Sequence, residues 1–91
     1  MTEQEVKDYI QGLLDEGTEG SRVVDTGFSE KSSTFSVEIQ GYVPLPILNT
    51  IGQKFQDDYM WVDASDENIS LLICPYPQTI KDIVLWMDKN R

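Results

Sequence analysis

The chain contains no histidine, which removes the side chain most often used for acid–base chemistry near neutral pH. It has one cysteine, Cys74, so an intrachain disulfide and a multi-cysteine zinc site are both excluded. Cys74 ends an apolar run with no imidazole to activate it, and so reads as a small core hydrophobe. A single thiol fits a reducing compartment. No apolar run approaches the roughly 18 residues that a membrane span needs. The opening Met-Thr-Glu-Gln-Glu lacks the basic and apolar regions of a secretory leader. The expected location is therefore cytoplasmic, with no membrane partner.

Basic residues are also scarce. Seven Lys and Arg stand against 16 Asp and Glu, for a net charge of −9. A field of this sign repels phosphate backbones and anionic membranes, so direct nucleic-acid binding is disfavoured. A basic protein partner, or simple solubility, is the natural reading of such a surface.

Metal and phosphate motifs are missing too. Asp63-Ala64-Ser65-Asp66-Glu67-Asn68 is acidic, but it lacks the glycine and the spaced carboxylates of a calcium loop. Asp57 and Asp58 precede the same segment by an extended run spanning roughly 20 Å, too far to share its ion. Gly17-Thr18-Glu19-Gly20 carries a glutamate where a phosphate loop wants lysine. Lys31 could serve as a base for Ser29, Ser32 or Ser33 only in a special geometry, and a polar turn explains these residues just as well. No cofactor, metal or catalytic residue is expected, and the chain reads as a non-enzyme.

What is present is enough apolar material for a core: 40% hydrophobic residues, including three Phe, four Tyr and two Trp. Ninety-one residues fit one small acidic domain spanning 1–91. Thr2-Glu3-Gln4-Glu5 has the spacing of a capping box, followed by Val6, Tyr9, Ile10, Leu13 and Leu14 at helical intervals. Gly17 suits a left-handed helix stop. The spacing predicts a helix over 3–16.

Strands are expected over 21–27 and 33–40, where Phe35, Val37 and Ile39 alternate with polar residues. Pro46 opens a second helix over 46–56, with Ile47, Leu48, Ile51 and Phe55 facing inward. Strands follow over 58–64 and 69–74; the last is nearly all apolar, as a central strand covered on both faces would be. A closing helix over 78–89 turns Ile80, Ile83, Val84 and Met87 inward. The fold class is α+β, in αββαββα order. Consecutive hairpins imply a mainly antiparallel four-stranded sheet with its helices packed on one face, a two-layer sandwich.

Two apolar patches exceed what such a core needs. On the closing helix, Leu85 and Trp86 rotate roughly 150° and 110° from the inner stripe. In the third strand, Tyr59 and Trp61 share a face opposite Met60 and Val62, with Asp63 beside them. Aromatic anchors ringed by charge are the usual anatomy of a protein interface. The same residues would be ordinary core if another segment, such as Tyr42–Pro46, covered them.

The leading expectation is thus a non-enzymatic interaction module: a small acidic adaptor, regulator or inhibitor. It would bind a protein partner through Tyr59, Trp61, Leu85 and Trp86, flanked by Asp57, Asp58, Asp63, Asp66 and Glu67. A basic protein is one candidate partner and a second copy of the chain another. The alternatives are a nucleic-acid mimic, using Glu30, Glu38 and those five acids to occupy a basic groove, and a small enzyme with a carboxylate-only site.

Overall fold

The Thr2 hydroxyl accepts from the Glu5 amide at 3.1 Å, and the Glu5 carboxylate accepts from the Thr2 amide at 3.0 Å. This reciprocal cap opens helix α1, Glu3–Gly17, in the computed structural model, which describes residues 1–77, 81, 82, 84 and 85. The two Thr2 hydrogen bonds favour the ionised carboxylate and hold Glu5 below the ordinary carboxylate range, the amide bond contributing most. Val6, Ile10 and Leu14 form the buried stripe of α1.

The helix ends differently from the expectation. Gly17 remains its last helical residue, and positive φ falls instead at Gly20 in the connection that follows. Thr18 stops the helix: its amide and hydroxyl both donate to the Leu14 carbonyl, at 2.9 and 2.7 Å. Glycine at 17 serves close packing, since a Cβ there would lie 2.7 Å from Ile47 Cδ1.

Next come β1 (Arg22–Ser29), β2 (Thr34–Gln40), α2 (Leu45–Lys54), β3 (Tyr59–Ala64) and β4 (Asn68–Cys74). All neighbouring strands are antiparallel, in the order β1-β2-β4-β3. Val37 and Ile39 of β2 and Leu71 and Ile73 of β4 turn one face of the sheet toward α1 and α2. There they meet Val6, Ile10, Leu14, Ile47 and Ile51 in one apolar cluster. Each such side chain contributes roughly 1.5–3 kcal/mol by leaving water. Lys54 also lies over the Tyr9 ring, 5.4 Å from its centre, tying α2 to α1.

The described chain is thus a small α+β fold with two helices on one face of a four-stranded antiparallel sheet. The closing helix expected over 78–89, including Ile80, Ile83, Trp86 and Met87, lies largely outside the described residues. β4 is central and buried on both sides: Leu71 and Ile73 join the main cluster, while Leu72 and Cys74 are buried on the opposite face. No helix among the described residues is long and apolar enough to cross a membrane.

Candidate functional site

β3 is an edge strand, and its alternation sorts its side chains onto two faces. Met60 packs against the core on the helix side. Tyr59, Trp61 and Asp63 point the other way, where they stand opposite Cys74, Leu72 and Ser70 of β4. Tyr59 is 50% exposed and Trp61 41% exposed, large values for aromatics in a sheet. They border the buried pair Leu72 and Cys74, so this second face is apolar at its centre and open at its β3 margin.

The Tyr42–Pro46 segment does not cover them. The Tyr42 hydroxyl accepts from the Glu19 amide at 3.4 Å, its carbonyl accepts from Ser21 Oγ at 2.7 Å, and Val43 packs against the cluster on the helix side. This segment therefore lies along the α1–β1 connection. Trp61 and Tyr59 do not belong to that cluster.

Register brings carboxylates into one row that spacing along the chain does not reveal. Asp25 pairs with Glu38, Glu38 with Ser70, and Ser70 with Asp63, so three acids and a serine cross the second face at one level. Neighbouring strands lie roughly 4.8 Å apart, which crowds Asp25 and Glu38. Glu38 is anchored by Asn68 Nδ2 at 2.7 Å. The next row toward Tyr59 is Gly27, Ser36, Leu72 and Trp61. An acidic row thus runs beside the row that carries Trp61.

The remaining expected residues fall at the two ends of β3. Asp57 and Asp58 are exposed in the turn from α2, where the Asp58 amide donates to the Phe55 carbonyl at 2.9 Å. Asp66 and Glu67 are exposed in the β3–β4 turn, which the Ser65 amide closes by donating to the Asn68 carbonyl at 2.9 Å. Leu85 is 59% exposed, while its expected companion Trp86 lies outside the described residues. Among the described residues no three metal-ligating side chains gather at one point.

Two further exposed apolar side chains near β3 are not apparent from local spacing. Val62, placed by alternation on the helix side, is 44% exposed because β3 is an edge strand. Tyr76, also exposed, lies two residues beyond Cys74 and so at the Tyr59 end of the sheet. Its position between Pro75 and Pro77 marks a strand ending and gives no hint of a neighbour. The chain matches no protein-family model, and no curated protein or solved structure is significantly similar to it.

Proposed function

We propose that the chain is a non-enzymatic interaction module that binds a basic protein partner through the Tyr59–Trp61 margin of its sheet. The observation that carries this reading is the exposure of both aromatics on one strand face, flanked at each end of that strand by exposed acids. Every charged residue between Lys54 and Lys81 is acidic: Asp57, Asp58, Asp63, Asp66 and Glu67. Desolvated aromatics supply most of the affinity at such surfaces, and rim carboxylates steer encounter. The protein then acts in its cellular setting as an adaptor, regulator or inhibitor.

The test compares Trp61→Ala with charge reversals at Asp57, Asp58, Asp66 and Glu67, using the partner recovered from the native host. The expected result is a folded Trp61→Ala variant that loses about tenfold or more in affinity, about 1.4 kcal/mol. The reversals should act mainly on association rate, and less so in high salt. Unchanged affinity in a folded Trp61→Ala variant would refute the reading.

The row of Asp25, Glu38 and Asp63 favours a second reading, a mimic of nucleic acid that occupies a basic groove. In that case binding collapses with the carboxylates and ignores Trp61.

A further inference from the structure

The register fixes which backbone groups of β3 point away from the sheet. The Ser65 amide bonds the Asn68 carbonyl, and the Gly41 amide bonds the Glu67 carbonyl at 2.9 Å. Hydrogen-bonded and non-hydrogen-bonded pairs alternate along an antiparallel ladder. Counting back from Ser65–Asn68, the bonded pairs are Asp63–Ser70, Trp61–Leu72 and Tyr59–Cys74. The Gly41–Glu67 bond assigns the odd-numbered residues of β4 to β2, which agrees. Met60, Val62 and Ala64 therefore aim their N–H and C=O groups outward, and nothing among the described residues bonds them.

The opposite edge of the sheet is guarded. In β1 the outward Val23 amide donates to Gln11 Oε1 at 2.8 Å, and a bulge interrupts the strand between Val23 and Asp25. Bulges, proline and lysine are the usual means of blunting an edge, and β3 carries none of them. Its side chains are sorted as well. Tyr59, Trp61 and Asp63 lie on one face, with Met60, Val62 and Ala64 on the other.

The geometry points to β3 as the docking edge for an extended basic segment of the partner, added as a fifth strand antiparallel to β3. This inference rests on the proposed function and names its partner chemistry. Residues directly opposite each other in a ladder share a face. The incoming strand therefore alternates, with Lys or Arg over Tyr59, Trp61 and Asp63, and apolar residues beside Met60, Val62 and Ala64. Cations over aromatic rings are favourable in themselves. A second copy of this chain is the wrong occupant. Antiparallel self-pairing sets Asp57 and Asp58 of one copy against Asp63, Asp66 and Glu67 of the other, and parallel self-pairing sets each acid near its own counterpart.

The probe is the capped peptide Lys-Val-Lys-Val-Lys-Val-Lys, titrated at low salt, with two N-methylated versions. Methyls on the valine amides remove the donors that would meet Met60, Val62 and Ala64; methyls on the lysine amides remove donors facing away. The valine-methylated peptide should lose about tenfold or more in affinity while the lysine-methylated peptide keeps it. In the protein, Val62→Pro removes an outward donor and spares the ladder to β4, as edge strands tolerate. It should cause a similar loss. Should Val62→Pro fail to fold, the two peptides decide with the wild-type chain. Equal affinity of both methylated peptides, with Trp61→Ala still weakening binding, overturns strand addition and leaves the proposed function standing. Absence of peptide binding, or binding indifferent to both Trp61→Ala and Asp63→Lys, overturns both. A wild-type dimer dispersed by Val62→Pro overturns the choice of occupant.

Discussion

Four glycines show how one residue type serves opposed ends. Gly41 has φ of 106°, and a Cβ there would sit 2.6 Å from Ser21 Oγ and 3.1 Å from Ser21 Cα. Gly41→Ala therefore meets both a forbidden backbone region and a clash with main chain, and should destabilise by about 1–3 kcal/mol in urea unfolding. Gly12 and Gly52 lie inside helices with nothing within 4 Å of the added carbon. Alanine at either should stabilise by about 0.5–1 kcal/mol in the same assay. Gly17 was legible as a helix end but not as a packing residue, because Ile47 is distant in sequence. At the N-terminus, Thr2→Ala should cost about 1 kcal/mol. The depressed Glu5 carboxyl adds a sign: its contribution is present above the unfolded carboxylate pKa and lost as pH falls through the lower folded value. Glu5→Gln, which removes the ionisable group, should thus lose more stability near neutral pH than at strongly acid pH. An unchanged acid limb would contradict the cap.

At the scale of elements, the two periods were readable and the neighbours were not. Alternation in Phe35, Val37 and Ile39 announces a strand with one buried face, and the structure places Val37 and Ile39 in the core. An unbroken apolar run at 69–74 announces a central strand, and β4 does lie between β2 and β3. Alternation alone cannot say that Asp25, Glu38 and Asp63 share a level, since cross-strand register is set by pairing over long sequence distance. Nor can it show that Val62 lies at an edge. Because β4 is buried on both sides, Leu72→Ala should be about as costly as Leu71→Ala, each about 2–5 kcal/mol in chemical denaturation. A negligible cost at Leu72 would mean that the second face contributes little to the fold.

Across the whole molecule, a net charge of −9 combines with a sheet that, among the described residues, has one guarded edge and one unpaired edge. Under the proposed strand addition, the charge opposes self-association and favours basic chains, and so selects among occupants of the edge. Salt should separate the two contributions. Screening lengths fall from about 10 Å at 0.1 M to about 3 Å at 1 M, so association slows while a dissociation rate set by Tyr59, Trp61 and backbone bonds changes less. The composition alone disclosed the acidity and the missing histidine; the fold adds where that acidity surrounds exposed aromatics. The most direct test of this surface is an amide chemical-shift map of the labelled protein titrated with its partner. The account predicts that the largest changes fall on Tyr59–Ala64, on the adjoining turn at Asp66 and Glu67, and on Ser70 and Leu72. Changes centred instead on the solvent side of α1 or α2, with β3 silent, would contradict it.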